Sequence, residues 1–91
     1  MKLTPAEIEA ALADLDGWTL DGNTIHKQFT FADFPAAIAF VNRVADMAEA
    51  ADHHPDIHIS YKRVTLAYST HSAGGITEKD VYGARAADSL A

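Results

Sequence analysis

A run of apolar residues at helical spacing occupies residues 33–51, the middle of this 91-residue chain. Its members recur at i, i+3, i+4 and i+7, as on one face of an amphipathic helix: Phe34, Ala37, Ile38, Val41, Val44, Ala45 and Ala48. Pro55 ends the helix, because the residue before a proline avoids helical backbone angles. A second stripe of Phe40, Met47 and Ala51 predicts either deep burial or contact with another subunit.

Two predicted strand pairs flank the long helix. Strands at 18–20 and 24–31 alternate around Asp21-Gly22-Asn23, a turn in which Gly and Asn tolerate positive φ. Strands at 57–61 and 64–69 alternate around Lys62-Arg63. Capping boxes, in which a Thr precedes an acidic residue by three positions, predict a further helix at each end of the chain. They are Thr4 with Glu7 and Thr77 with Asp80. The predicted order of elements is α-β-β-α-β-β-α.

This order predicts an α+β fold, a four-stranded antiparallel sheet with three helices packed on one face. Apolar residues of the second strand pair share one parity and would face the helices: Ile57, Ile59, Tyr61, Val64, Leu66 and Tyr68. Residues of the other parity, among them His58, Thr65 and His71, would line an open face. No linker or repeat interrupts the pattern, so we expect a single domain over residues 1–91.

Composition excludes several function classes. Seven Lys and Arg against thirteen Asp and Glu give a net charge of −6, which argues against binding to nucleic acid or to an anionic membrane. The absence of cysteine excludes disulfides, thiolate metal sites and a cysteine nucleophile. No stretch approaches the ~20 apolar residues of a membrane span, and no signal peptide is visible. We therefore expect a cytoplasmic protein.

Histidines are concentrated after the long helix, with four of the five between positions 53 and 71. His53 would lie in the last helical turn, one turn after Glu49. This carboxylate and the helix C-terminus both favour imidazolium. Imidazole exchanges protons near neutral pH and suits general acid–base catalysis. The alternatives are a simple carbonyl cap for His53 and a solvated loop position for His71.

A metal site is the main rival interpretation of the histidines. His53, His54 and His58 are spaced H-H-x-x-x-H, but adjacent histidines on an extended segment point apart, and the i, i+4 spacing of helical zinc ligands is absent. We therefore expect no metal. Neither a G-x-S-x-G elbow nor a glycine-rich phosphate loop is present. Asp80 caps the last helix and could also orient His71.

Seven of these residues are spaced E-x3-H-H-P-x5-Y-x9-H-x8-D: Glu49, His53, His54, Pro55, Tyr61, His71 and Asp80. This spacing resembles the signature of the pterin-4a-carbinolamine dehydratases. The resemblance extends over nearly the whole chain, through Gly17-Trp18, Lys27-Gln28-Phe29, Asp33-Phe34, Arg43-Val44-Ala45 and Ser69-Thr70-His71. The element order also agrees with the fold of that family.

The resemblance implies a dehydratase that converts a 4a-hydroxytetrahydropterin to a quinonoid dihydropterin and water. The reaction would belong to the recycling of tetrahydrobiopterin after aromatic amino acid hydroxylation. The family needs no metal and no organic cofactor, and its members are homodimers or homotetramers. An animal member also serves as a dimerisation cofactor for a homeodomain transcription factor.

The resemblance also assigns roles to residues. His53 and His71 would transfer protons, His54 would bind and orient the substrate, and three imidazoles would thus meet around one flat heterocycle. Glu49 and Asp80 would orient and charge the histidines. Residues of two short segments would contact the pterin ring, partly through backbone groups: Asp52, His53, His54, Ser69, Thr70, His71 and Ser72.

Two other functions compete with this one. The protein could be an interaction module whose long helix, with the Phe40 and Met47 stripe, docks a partner helix and acts as a transcriptional cofactor. It could also carry out another pterin-linked reaction, for example in molybdopterin metabolism. Neither the preferred pterin side chain nor a choice between dimer and tetramer follows from the sequence.

Overall fold

The computed structural model describes residues 1–91 and contains three helices and four strands. In chain order these are α1 (Pro5–Ala13), β1 (Thr19–Asp21), β2 (Thr24–Thr30), α2 (Phe34–Ala51), β3 (Asp56–Ser60), β4 (Arg63–Tyr68) and α3 (Glu78–Leu90), with a short 3-10 turn at His71–Ala73 before α3. The predicted order and the α+β class are confirmed. None of the helices combines the length and the apolarity that crossing a membrane requires.

The helices begin where their capping residues predict. Thr4 Oγ1 accepts the Glu7 N–H at 3.2 Å, and Glu7 Oε1 accepts the Thr4 N–H at 2.8 Å. Hydrogen bonding to the Thr4 backbone and side chain holds the pKa of Glu7 below its usual value. At α3, Asp80 Oδ2 accepts the Thr77 N–H at 2.9 Å. Both capping boxes therefore form, and the second one fixes the position of the Asp80 carboxylate.

The four strands form one antiparallel sheet in the order β1-β2-β4-β3. β4 lies inside the sheet, where Tyr68 is opposite Ile25 and Val64 is opposite Phe29. Side chains on one face of β2 and β4 pack with the helices into a core of fourteen residues: Ile8, Leu15, Trp18, Ile25, Phe29, Ala37, Phe40, Val44, Val64, Leu66, Tyr68, Ile76, Ala84 and Ala87. The alternate residues are less buried, as the strand parity predicts.

Strand β3 departs from the prediction that the helices cover its apolar residues. Ile57 and Ile59 are opposite Leu66 and Val64, so they point to the same face. Nevertheless they remain 37% and 39% exposed. The reason is position, because β3 is an edge strand while the core is built over the inner strands. The molecule therefore carries an apolar strip on this edge.

One further prediction about local structure is wrong, and one pair of alternatives is decided for Phe40. The second hairpin turns at Tyr61 and Lys62, since the ladder closes with Ser60 opposite Arg63; Tyr61 has a φ of 54° and is 65% exposed instead of facing the helices. Phe40 follows the deep-burial alternative predicted for its stripe. It is fully buried, with its ring 4.8 Å from the Phe29 ring. A partner helix therefore cannot dock on Phe40.

A part-buried ion pair ties the sheet to α3. Lys27 Nζ lies 2.9 Å from Asp88 Oδ1, which also accepts the Trp18 Nε1–H at 3.1 Å. The pairing explains why a lysine can lie among apolar residues on β2. Its aliphatic stem covers Gly17 while its charge is neutralised by Asp88.

Candidate active site

The last turn of α2 determines where the histidines point. Asp52 adopts left-handed backbone angles, φ 52° and ψ 41°. The Asp52 N–H donates to the Glu49 carbonyl and the His53 N–H donates to the Ala48 carbonyl, each at 3.2 Å. This is a Schellman motif. It reverses the chain, so His53 lies outside the helix and the predicted one-turn pairing of Glu49 with His53 does not form.

His53 instead pairs with the buried carboxylate of α3. Its Nε2 lies 2.6 Å from Asp80 Oδ1, and the two side chains are 14% and 0% exposed. Asp80 therefore orients a histidine as predicted, but that histidine is His53 and not His71. The correct partner is the histidine brought to Asp80 by the chain reversal at Asp52.

The second oxygen of Asp80 is held by two threonines. Oδ2 accepts the Thr70 hydroxyl at 2.8 Å and the Thr77 N–H at 2.9 Å. The Thr70 and Thr77 hydroxyl oxygens are 2.9 Å apart. Since Thr70 gives its single proton to the carboxylate, Thr77 donates to Thr70. The Thr70 side chain is thus directed into this network, and a substrate contact of Thr70 remains a prediction.

This network assigns the tautomer of His53. The backbone N–H of Thr77 can only donate, and the Thr70 hydroxyl donates as well, so Asp80 accepts both hydrogen bonds at Oδ2, as an ionised carboxylate does. Because an ionised Asp80 can only accept, we assign the proton of the His53 ring to Nε2. Nδ1 is left as the nitrogen that can take up or release a proton. An Asp–His pair of this kind fixes the tautomer and the direction of Nε2.

His54 points to a different carboxylate. Its Nε2 lies 2.7 Å from Glu49 Oε1, and the two side chains are 55% and 80% exposed. The rings of His53 and His54 thus diverge, as expected for adjacent residues before a proline. An ion pair this exposed contributes only about 0–1 kcal/mol. Glu49 therefore positions His54 weakly, and His54 keeps freedom to meet a ligand.

His71 begins the 3-10 turn that follows β4 and is exposed. No hydrogen bond involves its ring, while its carbonyl accepts the Gly74 N–H at 3.0 Å. The preceding Thr70 bonds to Asp80, so the segment that carries His71 is anchored to the same carboxylate as His53. Ser69 is half-buried and Ser72 is exposed.

Two cavities adjoin these residues. One of about 360 Å³, within the size range of small-molecule sites, lies between the end of α2 and the first turns of α3; its lining is Met47, Ala51, His53, Glu78, Lys79, Tyr82 and Gly83. The other, of about 490 Å³, includes Thr70 and Ser72 and the N-terminal segment. His54 and His71 line neither cavity. Neither cavity is therefore the single hollow that the three imidazoles were expected to share. Of the three histidines, only His53 lines one of them.

No three His, Asp or Glu side chains come together in a way that could hold a metal ion. What the site offers is a directed imidazole beside a cavity, with further imidazoles at exposed positions on the adjoining segments. Such an arrangement can accept and donate protons.

Three residues around His53 were not predicted from the sequence to belong to the site. Tyr68 follows the strand parity of a core residue, Thr77 matches a helix cap, and Gly83 lies inside α3 without any motif. The only signal was indirect, since Tyr68 immediately precedes the segment Ser69–Ser72. The contact between their elements becomes visible only in the folded chain.

Comparison with known proteins identifies the family. The sequence model described as pterin 4 alpha carbinolamine dehydratase matches residues 1–90. A relative in Thermosynechococcus vestitus, provisionally named pterin-4-alpha-carbinolamine dehydratase, is 52% identical over 90 residues, covering 99% of this chain and 95% of its own. These matches extend over the whole fold.

Solved structures agree with this assignment. The crystal structure of a transcriptional coactivator/pterin dehydratase from Brucella melitensis superposes with a TM-score of 0.96 at 41% identity, over 100% of this chain and 99% of the other. A pterin dehydratase-like RuBisCO assembly factor of the alpha-carboxysome shares the fold, with a TM-score of 0.66 at 22% identity, over 80% of this chain and 84% of the other. From the family match and the similarity to the Thermosynechococcus vestitus and Brucella melitensis proteins, we conclude that the chain belongs to the pterin 4 alpha carbinolamine dehydratase family.

Proposed function

We propose that this protein dehydrates a 4a-hydroxytetrahydropterin to a quinonoid dihydropterin, with histidines as the acid and base. The observation that carries the proposal is the His53–Asp80 pair, which directs one imidazole beside a cavity and leaves its Nδ1 without a hydrogen-bond partner. Membership of the pterin dehydratase family supports the choice of substrate. The proposed setting is the cytoplasmic recycling of tetrahydrobiopterin after aromatic amino acid hydroxylation.

The reaction requires little beyond proton transfer. In the substrate, the leaving hydroxyl is on a carbon that is bonded to a ring nitrogen. A base removes the N–H proton, the nitrogen lone pair forms a C=N double bond, and the C–O bond breaks. An acid protonates the departing oxygen, which leaves as water. One positioned acid or base contributes roughly 10²–10⁴-fold to such a rate.

The roles divide among three histidines. We assign proton transfer to His53 and His71, and substrate binding and orientation to His54. Asp80 stabilises the imidazolium form of His53 when it accepts a proton at Nδ1, as the aspartate does in an Asp–His pair. Glu49 orients His54. The segments Asp52–His54 and Ser69–Ser72 supply the contacts to the pterin ring.

We also propose that the protein works as a homodimer or homotetramer. The support is the apolar strip of Ile57 and Ile59 on edge strand β3, which the rest of the chain covers only in part. Edge strands with exposed apolar side chains favour association with another chain. The exposed positions of His54 and His71 fit a site whose surroundings include a second copy.

The decisive experiment is a stopped-flow assay with freshly generated 4a-hydroxytetrahydropterin. His53→Ala and His71→Ala should each slow dehydration while the far-UV circular dichroism spectrum is unchanged. His26→Ala and His58→Ala serve as matched controls and should retain the wild-type rate. If the His53→Ala/His71→Ala double variant dehydrates the substrate at the wild-type rate, the assignment is wrong. Activity should survive EDTA; loss in EDTA with recovery in zinc would instead indicate a metal site.

A coactivator role is the second candidate. It is favoured by the Brucella melitensis relative, whose description pairs transcriptional coactivator with pterin dehydratase. A calorimetric titration with a stable pterin separates the two functions, because an interaction module without a substrate site shows no saturable binding. A pterin-linked role in molybdopterin metabolism would show pterin binding without dehydration of the 4a-hydroxypterin.

A further inference from the structure

The ring of Tyr68 lies against the ring of His53. Their centroids are 5.7 Å apart and their planes differ by 20°, a stacked arrangement. Tyr68 is fully buried at the end of β4. Trp18 contacts it as well, at a centroid distance of 6.2 Å. The imidazole therefore rests on a ring that is itself fixed by the core.

Gly83 makes room for this tyrosine. A Cβ atom at position 83 would lie 2.6 Å from both Cε1 and the hydroxyl oxygen of Tyr68, and closer still to Cζ. Glycine inside a helix is destabilising relative to alanine. Its presence within α3 is explained by the close approach of Tyr68, which no larger residue permits.

The phenol group of Tyr68 has no evident structural purpose of its own. The hydroxyl is buried and has no hydrogen-bond partner. Burial, together with the nearby Asp80 carboxylate, raises the pKa of Tyr68 to about 12. The side chain is thus neutral at physiological pH and does not exchange protons there. What it offers His53 is the flat surface of its ring.

We infer that Tyr68 is a positioning residue that sets the plane of the His53 imidazole, and that Gly83 is the position that admits it. The inference rests on the proposed function of His53. A single hydrogen bond to Asp80 fixes the direction of Nε2 but lets the ring turn about that bond. Stacking on Tyr68 removes this freedom, since aromatic pairs prefer defined geometries. Asp80 and Tyr68 together determine where Nδ1 points.

The first test compares Tyr68→Leu, which removes the ring, with Tyr68→Phe, which keeps it. In Tyr68→Leu, kcat should fall about tenfold with little change in KM, because a misplaced catalytic group slows the chemical step. Tyr68→Phe should restore kcat to within about twofold of wild type. Phe29→Leu removes another buried aromatic ring, one without contact to His53, and controls for general loosening of the core.

A readout independent of activity keeps this inference separable from the proposed function. In ¹⁵N NMR spectra, His53 of the wild type and of Tyr68→Phe should show one tautomer protonated at Nε2. In Tyr68→Leu the tautomer should stay the same, because Asp80 sets it, but the nuclear Overhauser effects from the His53 ring protons to neighbouring side chains should weaken, because the ring turns about its hydrogen bond to Asp80. Unchanged His53 spectra in Tyr68→Leu overturn the inference even if His53 proves essential. If the His53 spectra change in Tyr68→Leu but the wild type shows no dehydratase activity, the proposed function is overturned and the inference about Tyr68 is not.

The second test is a double-mutant cycle with Gly83. Gly83→Ala should lower kcat about tenfold, since the new methyl group displaces the Tyr68 ring. In the Tyr68→Leu background, Gly83→Ala should lower kcat by less than about twofold, because the ring atoms that the new methyl group would overlap are gone. If Gly83→Ala alone fails to fold, the double variant should fold again. Equal effects in both backgrounds would refute the role of Gly83.

Discussion

His53 Nε2 and Asp80 Oδ1 lie 2.6 Å apart, in a hydrogen bond between residues 27 positions apart in the chain. It joins the loop after α2 to the first turn of α3. Asp80 completes a capping box with its other oxygen, so the helix cap and the histidine support are one carboxylate. The consequence is that His53 is anchored by an element whose own position is fixed by backbone hydrogen bonds.

Replacing Asp80 by Asn should abolish the proposed dehydratase activity by reversing the tautomer of His53. The amide oxygen would take over the hydrogen bonds from Thr70 and Thr77, which leaves the amide N–H₂ facing Nε2. His53 would then accept at Nε2 and carry its proton at Nδ1. We expect kcat to fall by about 10²–10⁴-fold, as in other Asp–His pairs. Stopped-flow kinetics and ¹⁵N NMR measure the two effects.

Asp88→Asn is the matched control for this change. It alters a carboxylate on the same helix that pairs with Lys27 and Trp18 rather than with a histidine. It should destabilise the protein slightly and leave kcat near the wild-type value. Equal losses of kcat in Asp80→Asn and Asp88→Asn would mean that Asp80 acts only through stability.

Glu49→Gln should have a small effect on substrate binding. The Glu49–His54 pair is largely exposed, and such pairs contribute about 0–1 kcal/mol. We therefore expect a change in KM of less than about fivefold, because 1 kcal/mol corresponds to that factor. His54→Ala should raise KM more, with less effect on kcat than His53→Ala. Should His54→Ala instead abolish kcat, His54 would be one of the proton-transfer groups.

Much of the fold could be predicted from local sequence. Thr4 with Glu7 and Thr77 with Asp80 form the capping boxes that their spacing indicates, and strand parity correctly separates the buried and exposed faces of β4. These features depend on neighbouring residues alone. Ile57 and Ile59 show the limit, since parity gives the face of a strand but not its place at the edge of the sheet.

The pairing of His53 could not be predicted because it depends on one backbone conformation. A helix that continued through residue 53 would place Glu49 and His53 on one side. Asp52 instead adopts left-handed angles, which are common for Gly but unusual for Asp. The reversed chain then delivers His53 to Asp80, a partner distant in sequence. Similarly, the approach of Tyr68 to Gly83 depends on how α3 packs on β4.

Tyr68 should make the protein less stable in strongly alkaline solution. Its pKa is raised from 10.0 to about 12 by burial and by the Asp80 charge. The unfolded chain therefore loses this proton first, and stability falls as the pH rises from about 10 to about 12. At about 1.4 kcal/mol per unit, the loss amounts to about 2–3 kcal/mol. Urea unfolding at pH 8 and pH 11.5 measures it.

Tyr68→Phe should abolish this alkaline loss. It should also stabilise the protein by up to about 1 kcal/mol at pH 8, since it removes a buried hydroxyl without a partner. Tyr82→Phe is the control, because Tyr82 is 60% exposed. If Tyr68→Phe and the wild type lose equal stability between the two pH values, the phenol of Tyr68 is not the responsible group.

The edge strip of Ile57 and Ile59 should hold subunits together. Burying an Ile side chain fully stabilises by about 1.5–3 kcal/mol. Because these two are 37% and 39% exposed, covering the exposed part of each in an interface would contribute about 1 kcal/mol to association. A two-fold symmetric contact uses each residue twice. The strip can therefore contribute about 4 kcal/mol, or roughly 10³-fold in the dissociation constant.

The variant Ile57→Lys/Ile59→Lys should consequently dissociate into monomers at concentrations where the wild type is associated, as measured by sedimentation velocity. Charged side chains on an edge strand oppose pairing with another chain. His58→Lys places a charge on the same strand but on the opposite face, and it should leave the association intact. A monomeric wild type, or a double variant with the mass of the wild-type oligomer, would show that subunits do not meet through this strip. Loss of dehydratase activity together with dissociation would further indicate that a second copy completes the surroundings of His54 and His71.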